Sequence, residues 1–478
     1  MIKIPKTGLF CKVRGGVYML TYAMEDRGDL SLYEYLYRCI RQDILSGALA
    51  AGERLPSKRA LAEHLHLSVI TVEGAYAQLE AEGYVYTKPK QGFFVCPVQQ
   101  APEPPQQVPI APEPPGRVWK ADLGRNQADA SRFPAATWAR LTRQVLSEGG
   151  FLTPAPHQGL YALRQAIADD LRSFKGMAVS PEQIVIGAGA EYLYILLAQL
   201  LGPQAVVAVE DPGYPKIRQV YGKCGAVCRP IPLDRQGMDP AALAASGATA
   251  AHISTNHHYP TGIITTIGRR QALLRWAEEQ GAIIIEDDYD SEFRFAGRPI
   301  PALQSIDTGG RVIYMNTFSQ TISPSMRIGF MVLPPRLLEV YRRELGFYAC
   351  TVPVLDQHVL ARFLSGGYYE QHLSRMRKEY RARRDAVLAA FQASPFADRV
   401  KFSEQGAGLH FLLRLDTSLD DEALRRKAEG LGVRLAFLSE YAAVPQENYG
   451  HTLVVNYGGL EPERLEATTA LLAEIFSE

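Results

Sequence analysis

Four short stretches of this chain carry residue types whose spacing suits a single anion-binding site. Gly187-Ala-Gly189-Ala190-Glu191-Tyr192 follows the apolar run Gln183-Ile-Val-Ile and opens a helical pattern, so its free backbone N–H groups and the helix dipole can hold a phosphate. Asp211-Pro-Gly-Tyr214-Pro-Lys216 sets an aromatic ring just past a second apolar run, and Glu286-Asp287-Asp288-Tyr289-Asp290 sets carboxylates and a phenol past a third. Thr317, Ser319 and Arg327 flank Gln320 with hydroxyls and a guanidinium fork that suits phosphate oxygens. Glycine after a strand is common and a tyrosine there is often core, so no stretch decides alone. Their shared position, each just after a strand-length apolar run, is what points to one site.

The elements that must position them are legible as an alternation. Gln183-Ile-Val-Ile, Ala205-Val-Val-Ala-Val, Ala250-Ala-His-Ile-Ser, Ala282-Ile-Ile-Ile, Arg311-Val-Ile-Tyr and Ile328-Gly-Phe-Met-Val-Leu are separated by helical patterns. This predicts an α/β fold for residues 118–478, a mostly parallel sheet covered on both faces, with ligand groups at the carboxyl ends of its strands.

With 478 residues the chain is too long for one core, and 47% hydrophobic with 21% charged residues is the composition of a soluble globular protein. No apolar run reaches the length of a membrane span, and residues 1–28 read as a tail without the apolar stretch of a signal peptide, so a cytoplasmic location is expected. The six cysteines are dispersed and expected to be free thiols. The net charge of zero advertises no polyanionic partner globally. His252, His257 and His258 gather near one strand end, but no carboxylate or thiol sits beside them at ligand spacing, so no metal is expected.

Residues 97–117 are a Pro-rich linker in which Ala-Pro-Glu-Pro-Pro occurs twice, at 101 and at 111. Proline at this density predicts an extended spacer, as much as ~60 Å at roughly 3.1 Å per residue. Upstream, residues 29–96 predict three helices and a hairpin. Leu32, Leu36, Ile40 and Ile44 recur at helical spacing, Ser57 caps a second helix, and Ser68 caps a third with Val69, Val72, Ala75, Tyr76 and Leu79 inward. Tyr84-Val-Tyr-Thr-Lys88-Pro-Lys90-Gln-Gly92-Phe-Phe-Val then reads as two strands around a Pro/Gly turn. That order is a winged helix-turn-helix. Arg54-Leu-Pro-Ser-Lys-Arg-Ala-Leu-Ala-Glu, Leu67-Ser-Val-Ile-Thr-Val-Glu-Gly-Ala-Tyr and Glu82-Gly-Tyr-Val-Tyr resemble the GntR superfamily of bacterial regulators, which implies a double-stranded DNA operator as partner. Between Thr21 and Val95 there are eight Lys/Arg against ten Asp/Glu, yet the cations cluster where such a module meets phosphates: Arg54, Lys58 and Arg59 at the second helix, Lys88 and Lys90 on the wing, with Ser57 nearby. Where the family often has an arginine after Ser68, this chain has Val69-Ile70. Ser68, Thr71 and Glu73 remain as polar groups able to face a groove, which predicts an A/T-leaning operator.

The segment Tyr314-Met-Asn-Thr-Phe-Ser-Gln320-Thr-Ile-Ser-Pro-Ser-Met-Arg327-Ile-Gly resembles the loop on which fold-type I aminotransferases carry the lysine that forms a Schiff base with pyridoxal 5′-phosphate. Joined to the amino-terminal module, Gly187-Ala-Gly-Ala-Glu-Tyr-Leu-Tyr, Glu210-Asp-Pro-Gly-Tyr-Pro and Glu286-Asp-Asp-Tyr-Asp resemble the MocR/GabR-type subfamily of GntR regulators. The resemblance implies cofactor contacts at Gly189, Ala190 and Glu191 with Thr317, Ser319 and Arg327 around the phosphate, Tyr214 stacked on the ring, Asp287 at the ring nitrogen and Tyr289 at the ring oxygen. Gln320 stands where the lysine belongs, and an amide cannot condense with an aldehyde, so no catalytic residue is assigned. Pyridoxal 5′-phosphate is then held without a covalent bond, or lost. Two further departures, Tyr259-Pro-Thr-Gly262 for Asn-Pro-x-Gly and Val454 where transaminases place an arginine, also point away from turnover.

The expectation is a cytoplasmic, homodimeric DNA-binding regulator whose aminotransferase-like domain senses an amino acid, an amine or pyridoxal phosphate itself. The alternative is a pyridoxal-phosphate-dependent aminotransferase or lyase with a fused DNA-binding domain.

Overall fold

The computed structural model describes residues 9–12, 18–98, 117–295, 300–403 and 406–477, in two compact units divided between Pro115 and Gly116. The repeated Ala-Pro-Glu-Pro-Pro segment lies outside the described residues.

In the first unit, helices Leu32–Ser46, Lys58–His64 and Val69–Ala81 precede an antiparallel hairpin, Val85–Lys88 with Gly92–Val95. Leu36, Ile40, Leu61, Val72, Tyr76 and Leu79 share one core because their i, i+3, i+4 spacing gives each helix one apolar stripe. The first helix stops at Gly47, whose left-handed backbone returns its N–H to Ile44 O. Ser57 and Ser68 accept the Ala60 and Thr71 N–H groups, which is the capping their positions predict. Two expectations need correction. Val69 is 42% exposed, since the first residue of the helix falls on its flank. The stretch read as a tail holds a strand, Tyr18–Thr21, and Leu20 is buried in this core, so packed structure begins ahead of residue 29.

In the second unit an eight-stranded sheet runs in the spatial order Ile184–Gly187, Gly329–Val332, Val312–Thr317, Ile283–Asp287, Ala250–Ile253, Val206–Asp211, Val227–Asp234, Gly237–Met238. The strands from Val312–Thr317 to Val227–Asp234 pair in parallel; Gly329–Val332 is antiparallel to both of its neighbours. Burial on both faces explains why these strands read as unbroken apolar runs and not as alternations. A smaller antiparallel sheet, Val400–Ser403, His410–Leu415 and Thr452–Asn456, packs with the helices Tyr368–Gln392, Asp421–Leu431 and Leu465–Phe476 around Phe391, Phe411 and Phe437. Val454 sits fully buried in that sheet. Among the described residues no helix is long and apolar enough to cross a membrane. Cys39, Cys96, Cys224, Cys228 and Cys350 are free thiols.

Candidate functional site

A cavity of about 220 Å³ opens at the carboxyl ends of the parallel strands. Each strand delivers a wall residue as it ends: Ala190 and Glu191 after Ile184–Gly187, Glu210 and Tyr214 at the end of Val206–Asp211, His252 and Ser254 with Ala250–Ile253, Asp287 and Tyr289 with Ile283–Asp287, and Thr317, Ser319 and Gln320 with Val312–Thr317. Arg327, from the return strand's approach, completes it. Nine of the ten residues expected at the cofactor thus line one cavity, and Gly189, the tenth, is the N-cap of helix Ala190–Leu201. Gly189 has φ 89°, and a Cβ there would fall 2.7 Å from Arg327 Nη2, so only glycine lets the guanidinium lie over that helix start.

Period-two alternation separates the acidic run after Ile283-Ile-Ile. Asp287 faces the cavity, where Tyr194 donates to it at 2.6 Å and His252 Nε2 at 3.2 Å, while Tyr221 holds the other ring nitrogen of His252 at 2.9 Å. These two contacts on one carboxylate hold it in a fixed orientation. Glu286 turns away and accepts from Thr255 and from the Leu303 and Gln304 N–H groups, so its role is structural. Asp288 pairs with buried Lys175 at 2.7 Å and accepts from Tyr314 at 2.7 Å.

At the helix start, Glu191 bonds to both Arg327 and Lys216, the latter at 3.1 Å. Burial works against its charge, but its own backbone N–H and the two cations outweigh that and hold the carboxyl at about 2. Lys216 is raised in turn, chiefly by its hydrogen bond to Glu191, so it remains an ammonium and not a free amine nucleophile. The anion cup therefore carries two cations and one resident carboxylate.

Gln320 is the distinctive wall residue. Its Nε2 donates to the Asn126 backbone carbonyl at 3.3 Å, and its Oε1 is buried without a hydrogen-bond partner. Asn126 also accepts from the Tyr289 hydroxyl at 3.4 Å through its side chain, and Tyr259 donates to or accepts from Tyr441 at 2.8 Å. Sequence reading missed Asn126, Tyr194 and the part played by Lys216, and it named His252 only among three clustered histidines, without its contact to Asp287. Lys216 lies two residues from Tyr214 and was readable; Asn126 sits 194 residues from Gln320 and carries no motif.

Contrary to what their sequence spacing suggests, each of the three histidines has a carboxylate beside it. His252 lies 3.2 Å from Asp287, His257 Nδ1 2.9 Å from Asp290, and His258 Nε2 3.3 Å from Glu210. Burial raises Glu210 well above the ordinary carboxyl range and pushes His258 down to about 3, so that pair is neutral. His257 and Asp290 also gather with His410, itself pushed down to about 3 by burial and bonded to the Pro260 carbonyl.

On the first unit, four of the nine polar groups expected to face DNA are engaged within the unit. Lys58 pairs with Glu73 at 2.7 Å and lies over the Phe93 ring, and the Ser68 and Thr71 hydroxyls bond to each other at 2.8 Å. Arg54, Ser57, Arg59, Lys88 and Lys90 are exposed, with Lys88 4.7 Å from the Phe94 ring centre and Lys90 at the turn of the wing with φ 61°. Ile70, 79% exposed, is the foremost apolar group of the third helix.

Residues 32–95 match the family model "Bacterial regulatory proteins, gntR family", and residues 120–447 match "Aminotransferase class I and II". The probable rhizopine catabolism regulatory protein MocR of Rhizobium meliloti is 33% identical over 91% of this chain and 92% of its own length. The chain belongs to the MocR-type regulators. The pyridoxine biosynthesis regulator PdxR of Corynebacterium glutamicum is 31% identical over 96% of this chain and 99% of its own. A regulator of Bacillus subtilis, YdeL, is 36% identical over 85% and 89%. Among solved structures, a Pyrococcus horikoshii kynurenine aminotransferase superposes with a TM-score of 0.67 at 25% identity, over 76% of this chain and 91% of that one, which shows the fold of the larger unit. As a MocR-type protein the chain is a transcriptional regulator with a GntR helix-turn-helix and an aminotransferase-like domain.

Proposed function

We propose that this MocR-type regulator binds operator DNA through its winged helix and reads a vitamin B6 compound, or an amino compound linked to one, in the larger unit's cavity. The observation that carries the reading is the braced Asp287 opposite a glycine-gated helix start. A ring nitrogen would be met by a fixed carboxylate, a phosphate by the Ala190 N–H with Arg327, a ring face by Tyr214 and a ring oxygen by Tyr289. When bound, such a cofactor supplies an electron-poor ring. Around it, the described residues bind and orient: Gln320 has no free amine, and Lys216 holds its proton against Glu191.

The absence of covalent attachment gives such a sensor reversible occupancy. Its affinity for the ligand must differ between DNA-competent and DNA-incompetent states, because a ligand shifts an equilibrium only by that difference. A homodimer in a cytoplasmic setting, presenting two winged helices to a two-fold operator, matches this mode. Titration with pyridoxal 5′-phosphate, followed by melting temperature and absorbance, tests the reading. A saturable rise in melting temperature without a dialysis-resistant visible band is expected, and no shift up to millimolar ligand would remove the B6 reading.

A further inference from the structure

The wall at Gln320 is asymmetric in a way that selects among ligands. The Asn126 backbone carbonyl can only accept a hydrogen bond, so it fixes which end of the Gln320 amide is its NH2. The amide oxygen is thereby committed to the other side, where it is buried and unpartnered. A flip would set two carbonyl oxygens against each other. A buried acceptor without a donor is costly, and the ligand group that relieves it is an N–H or O–H donor, not a second acceptor.

We propose that the cavity selects the amine form of the B6 ring, pyridoxamine 5′-phosphate, over the aldehyde, pyridoxal 5′-phosphate, with the Gln320 carbonyl oxygen accepting from the primary amine. This rests on the B6 reading of the cavity and deepens it. An aldehyde oxygen is acceptor-only, so beside Gln320 Oε1 it leaves both atoms unpaired; a protonated amine satisfies the amide and forms a charge-assisted hydrogen bond. Sites built around a buried hydrogen-bonding group reject analogues that lack the complement far more strongly than apolar pockets do. The amine is the species a transamination leaves on its cofactor, so a regulator with this preference reports on that side of the amino-group balance.

The test is isothermal titration of the full-length chain with pyridoxamine, pyridoxine and pyridoxal 5′-phosphates, for the native chain and for Gln320→Leu and Gln320→Glu, with melting temperature confirming that each variant is folded. The native chain is expected to bind the amine at least ~10-fold tighter than the aldehyde, about 1.4 kcal/mol, with the alcohol between them. Gln320→Leu brings the ratio to within ~3-fold, and Gln320→Glu widens it. Equal or tighter binding of the aldehyde by the native chain overturns the selectivity while leaving a B6 sensor in place, as does a ratio that survives Gln320→Leu. Binding of none of the three overturns both.

Discussion

Two surfaces of this protein are shaped for ligands, and they treat their polar groups in opposite ways. At the third helix of the winged unit, Ser68 pairs with Thr71, and Glu73 pairs with Lys58 of the second helix, leaving Ile70 and half-exposed Val69 as that helix's outward chemistry. In the cavity, Asp287 and Glu191 are likewise braced, but Gln320 Oε1 is left open. A surface whose polar groups are already paired reads by shape and apolar contact. A surface that keeps one buried acceptor open reads by hydrogen bonding. The first suits thymine methyl groups in a major groove and the second a small donor.

The sharpest break of this contrast is to convert the open acceptor into an amine. Gln320→Lys is expected to retain pyridoxal 5′-phosphate through exhaustive dialysis with a visible absorbance band, against complete loss from the native chain, on the order of a 100-fold difference in retained ligand. A colourless, ligand-free variant after dialysis would show that the wall does not present position 320 to the ring.

On the DNA side, Ile70→Asp places a charge on the exposed apolar reader and is expected to weaken operator binding by ~10–100-fold, since a lost base contact costs about 1–3 kcal/mol. Gel shift at fixed salt measures it. Lys58→Ala with Glu73→Ala, a charge-neutral pair, is expected to change affinity far less than ~10-fold; a larger loss would mean the two engage DNA separately.

At the phosphate end, Glu191→Gln removes the resident anion and frees Arg327 and Lys216. Phosphorylated B6 ligands should bind about 5–10-fold tighter, the effect being held down by the exposure of these groups to solvent, while the unphosphorylated amine changes little. Calorimetry with the phosphorylated and unphosphorylated pair separates the two.

The smallest effect concerns a third polar cluster, behind the sheet, where Lys175 serves Asp288 at 2.7 Å and Glu292 at 3.5 Å. Burial, then the Glu292 charge, lift the nearby Asp170 carboxyl to about 7. The folded chain keeps a proton there that the unfolded chain loses near its ordinary carboxyl range. Stability from this group therefore falls as pH rises from about 4 to about 7. Asp170→Asn is expected to raise the melting temperature of the larger unit by ~3 °C at pH 8 and by less at pH 5. Equal shifts at both pH values would contradict the assignment.

Much of this was legible in the sequence, for physical reasons that differ by element. The sheet strands announced themselves because strands buried on both faces are apolar runs, and the capping serines because an N-cap has few chemical solutions. The cavity residues were found by chain order, since ligand groups collect at strand ends. Asn126 was not, because it enters from a segment without pattern and meets Gln320 through a backbone carbonyl, which any residue carries. The histidine–carboxylate pairs were missed because His252 meets Asp287, and His257 meets Asp290, only when two parallel strands 33 to 35 residues apart are laid side by side. Val69 was misplaced because helical spacing gives a face but not where the first turn begins relative to its neighbours.

The most direct test of the account is operator affinity of the full-length chain at constant salt, with and without saturating pyridoxamine 5′-phosphate. A change of at least ~5-fold, in either direction, is the coupling expected of a sensor joined to a DNA reader. Identical affinity and identical DNA bending under saturation would contradict it.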